Sequence, residues 1–385
     1  MELDAIDTTL VRAAEGGDAR HYCLLRLRTD AGVEGVGEAT APGMERATEM
    51  AVHDLGRHLV GRDPRNVEGL WDHLYDAYAW NFGAVSMTAL SGIEMALWDL
   101  LGKHHGVRVC DLLGGPMRER LRVYANGVLG GSPAECADAA VDVRDRGYGM
   151  VKFMPFRDPE GDAAWTPPEI RDLGVERLEA VSEATDDLDV AVELHGVNPP
   201  QVAADLADLA EPFDPVFVEE PVPPENDDAM RRVRDRVDVP IATGERLLTT
   251  FEYRDFFQHP TPADIVQPDV NNVGGISQLK KVAAMAATEY VPVAPHNSRG
   301  PVATAAAAHA CATIPNFLVL EYFPDWPPWR GDLIEGSERV EDGHYHLPEG
   351  DGLGVTVDWE VAAEYPYEKA DRAEAVYTRG YRDPR

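Results

Sequence analysis

The rhythm of apolar and polar positions changes about a third of the way along the chain. Residues 22–29 (YCLLRLRT) alternate as a half-buried strand does, and 30–38 (DAGVEGVGE) supply a turn and a second short strand. Helical stretches follow, notably 91–106 (SGIEMALWDLLGKHHG), closed by a glycine and followed by LLGGP at 112–116. This part, residues 1–120, reads as a small α+β domain. From Leu121 short apolar runs recur, each followed by a polar loop and a helical stretch: VYANGV, GMVKFM, DVAVELHG, PVFVEEP, PIATGER, DIVQPD, VPVAPH and FLVLEY. Helices are predicted between them, among others over 229–237, 276–290 and 302–313. Strands alternating with helices build βαβ units around a parallel sheet, and about eight such units predict a closed α/β barrel over 121–345. The tail, 346–385, breaks the pattern with PEGDGLGVTVDWE and a polar, partly helical end. No apolar run approaches the ~18 residues of a membrane span.

Charge narrows the partners. Against 35 Lys and Arg stand 68 Asp and Glu, a net charge of −33. Such a surface repels the phosphate backbone of nucleic acids and anionic membrane, so neither is an expected partner. Only five lysines occur (Lys103, Lys152, Lys280, Lys281 and Lys369), so the basic residues are almost all arginine. An acidic, lysine-poor chain suits very high salt, where self-repulsion is screened to a Debye length of ~3 Å at 1 M, and a halophilic source is expected. The first residues are acidic where a signal peptide would be basic. Cys23, Cys110, Cys136 and Cys311 are scattered without a CxxC pair, as reduced core cysteines are. A cytoplasmic location is expected.

Spacing then points to chemistry. Glu193, Glu219 and Glu245 each end a predicted strand, 26 residues apart, and Asp269, His296 and Glu321 continue the series at intervals of 24, 27 and 25. One β-loop-α-loop unit takes about this many residues, and strand C-termini of such barrels open onto the face that holds the active site. Three adjacent carboxylates repel one another unless a cation sits among them, and all-oxygen ligands favour a hard ion such as Mg²⁺. Asp269 and His296 lie on consecutive strands, where the carboxylate can fix the imidazole tautomer and raise its basicity. His195 lies two residues after Glu193 and, on a strand, points the same way, across the barrel from His296. Glu321, kept protonated, would hydrogen-bond a substrate carboxylate. Lys152 ends an earlier strand, where it would neutralise substrate charge or form a rim salt bridge.

At these residues the sequence resembles the enolase superfamily, specifically its mandelate racemase branch and the galactonate- and gluconate-type acid-sugar dehydratases. GVGE at 35–38, IEMALWDLLGK at 93–103 and LLGGP resemble the family's capping domain. VELHG, FVEEPVPPEN, ATGERL, QPDVNNVGGI, APHNSRGPVATAA and LEY resemble its barrel motifs in order, and GDGLGV its closing segment. The resemblance implies a modified TIM barrel, (β/α)7β, with an α+β capping domain built from the N-terminal part and the C-terminal tail. It implies Mg²⁺ on Glu193, Glu219 and Glu245, the dyad Asp269–His296 as base, and Glu321 as enolate stabiliser; superfamily sites use a Lys or His base with Mg²⁺. His195 takes the place of the histidine that protonates the departing hydroxyl. Three positions depart from the family pattern: Glu193 stands for the usual Asp, Val197 and Asn198 follow the His-Gly, and Lys152-Phe153-Met154 replaces a K-x-K pair. Asn198 and Lys152, with His296 and Glu321, are the candidate substrate contacts.

The implied activity is Mg²⁺-dependent dehydration of a small-molecule sugar acid (gluconate, galactonate or xylonate) to a 2-keto-3-deoxy acid, in a homo-oligomer. The alternative on the same scaffold is a racemase or epimerase of a 2-hydroxy acid with His195 as second base; a non-catalytic sugar-acid-binding role is the third reading. Segments 41–45, 78–83 and 197–200, with Trp326 and Trp329, are the expected pocket walls.

Overall fold

A computed structural model describes residues 1–13, 21–77, 83–157, 166–327, 329–336 and 338–368. Strands β1 (Leu3–Arg12), β2 (His21–Thr29) and β3 (Glu34–Glu38) form an antiparallel sheet in that order, carrying helices α1 (Glu45–Gly56), α2 (Val67–Tyr75) and α3 (Ala84–His105). The alternation expected from residue 22 thus begins earlier, since LDAIDTTLVR pairs along its whole length with β2. Helix α3 starts seven residues before the expected 91 and ends, as expected, at Gly106 in the left-handed conformation, φ 68. By length and composition α3 could cross a membrane, but most of it is buried between the sheet and the barrel.

The contact of β3 with α3 explains two glycines of GVGE. A Cβ on Gly35 would stand 2.1 Å from the Ala96 carbonyl oxygen, and one on Gly37 2.1 Å from that of Gly92. Both residues sit on the strand face that touches the helix backbone, where no side chain fits. Gly37→Ala is therefore expected to cost at least ~1–3 kcal/mol through overpacking, read as a lower thermal midpoint. An unchanged midpoint would mean that the strand can leave the helix without penalty.

After the one-turn helix α4 (Val109–Leu112) the barrel begins with β4 (Arg120–Asn126). It continues through α5 (Pro133–Asp145), β5 (Met150–Phe153), α6 (Pro168–Ala184), β6 (Asp189–Glu193), α7 (Pro200–Ala210), β7 (Val218–Glu219), α8 (Asp227–Arg234), β8 (Ile241–Thr243), α9 (Thr250–Phe256), β9 (Ile265–Val266), α10 (Ile276–Thr288), α11 (Pro301–Ala312) and β10 (Leu320–Tyr322). Neighbouring strands from β4 to β9 pair in parallel. Val293 bridges β9 to Phe317 at the foot of β10, and β10 pairs with β4 and closes the ring. The eight apolar runs are the eight staves, separated among the described residues by seven α-helices in the βα order expected.

One inward-facing residue from each stave fills the barrel's waist: Tyr124, Met150, Ala191, Phe217, Ala242, Ile265, Ala294 and Val319, all buried in one cluster. Large and small residues mix, as a tapering interior requires. This layer is the floor of everything described below.

The tail returns to the rest of the molecule. After α12 (Arg330–Leu333) and β11 (Ile334–Glu335), the hairpin β12 (Val340–Glu341) and β13 (His344–His346) adds antiparallel to β4, and β14 (Thr356–Val357) pairs with β11. Helix α13 (Trp359–Glu364) precedes Tyr365, whose carbonyl accepts the Arg12 N–H of β1. The Leu353 N–H of the GDGLGV segment donates to the buried Asp99 of α3. Trp326 and Trp329, expected as pocket walls, pack into this seam: the Arg330 guanidinium lies 3.8 Å above the Trp326 ring, and Trp329 stacks on Tyr365 at 4.0 Å. The buried Arg330 is neutralised by a bidentate pair with Glu338 and bonded to the Tyr22 hydroxyl. Of the expected wall segments, 78–82 lies outside the described residues, as do Lys369 and the end of the tail.

Candidate active site

Two residues beyond each floor residue, strand alternation brings the next inward layer: Asn126, Lys152, Glu193, Glu219, Gly244, Gln267, His296 and Glu321. Above an apolar floor, six of these eight positions carry a charged or amide side chain and a seventh a histidine, at the C-terminal ends of the strands. Lys152, 1% exposed, stands at the centre. Its ammonium lies 2.6 Å from Glu219, 3.0 Å from Glu193 and 3.0 Å from Glu321, so its three N–H bonds are all engaged. The other Glu219 oxygen accepts from Gln267 at 2.6 Å. Lys152 is therefore not a rim salt bridge but the cation of the barrel interior.

Asp269 and His296 meet as expected, with Nδ1 2.7 Å from Oδ2. The second Asp269 oxygen accepts the Asn271 N–H, and the Arg299 guanidinium lies 3.4 Å from Oδ2, the oxygen that meets His296. On its far side the imidazole presents Nε2 to Glu245 at 3.3 Å and to Glu321 at 3.6 Å. Glu321 also accepts from the Asn126 amide at 2.6 Å and the Asn297 N–H at 2.8 Å. Burial alone would push the Glu321 carboxyl up, but Lys152, His296 and the Asn297 N–H hold it down to about 2. Those donors favour the carboxylate form of Glu321 over the protonated one expected, and it accepts from Asn126, Asn297 and Lys152.

His195 reaches the site by another route than strand alternation. Strand β6 ends at Glu193, and His195 turns in the left-handed region, φ 54, as does Glu220, φ 42, after β7. The His195 N–H donates to Glu193 at 2.9 Å, and the Gly196 N–H to the Glu220 carbonyl at 2.7 Å. Arg246 joins the two turns, donating to the His195 carbonyl at 3.1 Å and to the Glu220 carboxylate at 2.6 Å. Side-chain atoms of His195, Glu220 and Glu245 then lie within 4.8 Å of one another. Glu245 stands between the two histidines.

This electrostatic arrangement fits a divalent cation. Glu193, Glu219, Glu220, Glu245 and Glu321 crowd together against two permanent cations, Lys152 and Arg246. Burial, then Glu193, pushes the Glu219 carboxyl up, and burial, then Glu245, does the same at Glu220, whose second oxygen is buried without a hydrogen bond. Burial disfavours charge on His296, yet Glu245, Glu321 and Asp269 push it up to about 10. A histidine held protonated in this way cannot accept a proton, so a basic His296 requires some of that negative charge to be offset. The donors are oxygens plus one imidazole, the set a hard cation takes. Glu193 and Glu219, two of the expected ligands, also contact Lys152, while the third, Glu245, groups with His195 and Glu220, whose potential ligand atoms lie within 4.8 Å of one another.

Asn198 is buried and accepts from the Thr166 hydroxyl at 3.3 Å, on the wall of a cavity that also holds Met154, Phe156, Arg157 and His195. It thus lines a pocket beside the carboxylates, with its carbonyl already committed to Thr166. The regular spacing of ionisable residues does not mark Asn126, Gln267, Glu220, Arg246 and Arg299. Asn126 and Gln267 were recoverable, since each lies two residues past an inward floor residue; Gln267, not Asp269, is in register with Glu219.

The chain matches the N-terminal domain of the mandelate racemase/muconate lactonizing enzymes over residues 8–114 and the enolase C-terminal-domain-like family over 135–361. It is 36% identical over 380 residues to the D-xylonate dehydratase of Haloferax volcanii, covering 95% of this chain and 89% of that one. It is also 36% identical over 361 residues to the D-gluconate dehydratase of Thermoproteus tenax, covering 92% and 71%. Among solved structures, the mandelate racemase/muconate lactonizing enzyme of Jannaschia sp. CCS1 superposes with a TM-score of 0.88 at 33% identity, covering 96% of this chain and 98% of that one. Both halves of the chain, the solved relative and the carboxylate-lined barrel mouth agree: this protein belongs to the mandelate racemase/muconate lactonizing enzyme family of the enolase superfamily.

Proposed function

We propose that this enzyme dehydrates a five- or six-carbon sugar acid to its 2-keto-3-deoxy acid with Mg²⁺ as cofactor. The observation that carries the reading is the Asp269–His296 dyad opening at Nε2 onto Glu245 and the carboxylate cluster. The names of the relatives, D-xylonate and D-gluconate dehydratase, support the substrate class. Glu193, Glu219 and Glu245, with Glu220 and His195 beside them, would hold the ion. When bound, Mg²⁺ supplies Lewis-acid stabilisation of charge developing on the substrate carboxylate.

The chain's own residues do the rest. Asp269 fixes the His296 tautomer by taking Nδ1–H, which leaves Nε2 to remove the C2 proton. His195, on the other side of Glu245, gives a proton to the C3 hydroxyl as its C–O bond breaks. Water leaves, and the enol product tautomerises to the 2-keto acid with the proton balance closed. Lys152 keeps positive charge beneath the reacting carboxylate, and Glu321 holds both Lys152 and the loop after His296 in place.

Purified protein with Mg²⁺ is expected to form a 2-keto acid, read by semicarbazide, from at least one member of a panel of C5 and C6 sugar acids. EDTA should abolish the activity and Mg²⁺ restore it. Failure across the whole panel would sink the reading. Because histidines stand on both sides of Glu245, an epimerase is the competing reading: in D₂O it would return α-deuterated or epimerised acid with no 2-keto product.

A further inference from the structure

The loop that carries His296 runs through Asn297, Ser298 and Arg299 to Gly300, where helix α11 begins. Its first end is tied to Asp269. Its second end is tied to the N-terminal sheet, by a residue far away in sequence. Glu38, the last residue of β3 and fully buried, accepts the Gly300 N–H at 2.6 Å with one oxygen and the Ala303 N–H at 3.1 Å with the other. Helix α11 has no capping side chain of its own, because its N-cap residue is Gly300. Glu38 supplies the missing acceptor from another part of the fold, where a carboxylate also complements the helix dipole. The approach is close enough that a Cβ on Gly300 would lie 2.5 Å from a Glu38 oxygen.

A second connection starts from the same strand end. The Thr40 hydroxyl donates to Glu38 at 2.6 Å and accepts the Cys23 N–H at 3.1 Å. The Thr40 N–H donates to the Asn271 side chain at 3.3 Å, and the Asn271 N–H donates to Asp269 at 2.7 Å. Both members of the dyad are thus tethered to two residues at the end of β3: His296 through Gly300 and Glu38, Asp269 through Asn271 and Thr40. Every group in the two chains is buried.

We infer that Glu38 and Thr40 are positioning residues, through which the N-terminal sheet sets the distance and orientation of the Asp269–His296 pair. Loss of either tether lets one partner of the dyad drift, and a displacement of about 1 Å at a reacting group can cost ~10²-fold in rate. The inference rests on the reading of His296 as the base, so the experiment has one arm that does not need turnover.

Three variants test it. Glu38→Gln keeps the volume but places an NH₂ against one of the two N–H donors; Thr40→Val keeps the N–H that holds Asn271 but removes the hydroxyl that orients Glu38 and fixes this residue against Cys23, so that it loosens both tethers; Thr40→Ser keeps hydroxyl and N–H. The turnover-free arm follows the His296 Nδ1 proton, assigned by its absence in His296→Asn, in protein labelled with ¹⁵N-histidine. Its exchange with solvent should quicken more than tenfold in Glu38→Gln and Thr40→Val and remain near wild type in Thr40→Ser. With an active substrate, kcat should fall 10–100-fold in the first two while KM stays within threefold, and Thr40→Ser should rescue. Exchange and kcat within twofold of wild type in all three, even with lowered melting temperatures, would overturn the inference and leave these residues as structural caps. If Glu38→Gln does not fold, the Thr40 pair decides. A wild-type protein inactive on every sugar acid refutes the functional reading, while the proton-exchange arm still decides the positioning.

Discussion

Replacing His296 by asparagine is expected to lower kcat by ~10²–10⁴-fold, the range that a positioned general base contributes. The asparagine amide can still donate to Asp269 from near the position of Nδ1, which His296 occupies 2.7 Å away. The variant should therefore fold and melt like wild type, and the loss can be assigned to Nε2. Substrate recovered from D₂O should carry no α-deuterium, because no group is left to remove the C2 proton. A variant that retains more than a tenth of wild-type kcat would exclude His296 as the base and turn attention to His195. Burial depresses the His195 pKa, with Glu193 and Glu245 opposing, so it favours the neutral imidazole more than His296 does.

The second large effect concerns stability. Lys152→Met is expected to cost ~3–5 kcal/mol, since removing one partner of a buried charge cluster leaves the others uncompensated. The loss is severe here because the ammonium serves three carboxylates at 3.0 Å or less while only 1% exposed. Urea unfolding of the metal-free proteins measures it. Adding Mg²⁺ should recover more stability in the variant than in wild type, because a cation among Glu193, Glu219 and their neighbours relieves part of the same repulsion. An unfolding midpoint that Lys152→Met leaves in place would show that the cluster is neutralised in some other way, for instance by carboxyl protonation, towards which burial already pushes Glu219.

The two predictions differ in how far the sequence alone could have reached them. His296 and Asp269 were legible because barrel topology converts a spacing of roughly 25 residues into convergence at one mouth. Lys152 was visible only as a rare lysine at a strand end. That it is the buried cation of three glutamates depends on strands β5, β6, β7 and β10 curling around one centre, which no local pattern encodes. Glu321 shows the same limit: a protonated state suits an isolated carboxyl in a pocket, but donors from Asn126, Lys152 and Asn297, none of them visible in a local pattern, favour the anion. His195 lies beside the carboxylates, but not by strand alternation, since the strand stops at Glu193 and His195 follows in a left-handed turn.

By itself the sequence determined the barrel, its eight staves and the face on which the ionisable residues gather. Each of these follows from periodicity, and periodicity is local. Only the tertiary structure decided which carboxylate meets which cation, that Glu220 and Arg246 stand beside His195, and that Glu38 caps a helix 262 residues further along. The first two depend on how the barrel strands and their rim turns curl around one centre and the third on the packing of the N-terminal sheet against the barrel, and side chains remote in sequence carry no mark of the partner that folding will bring to them.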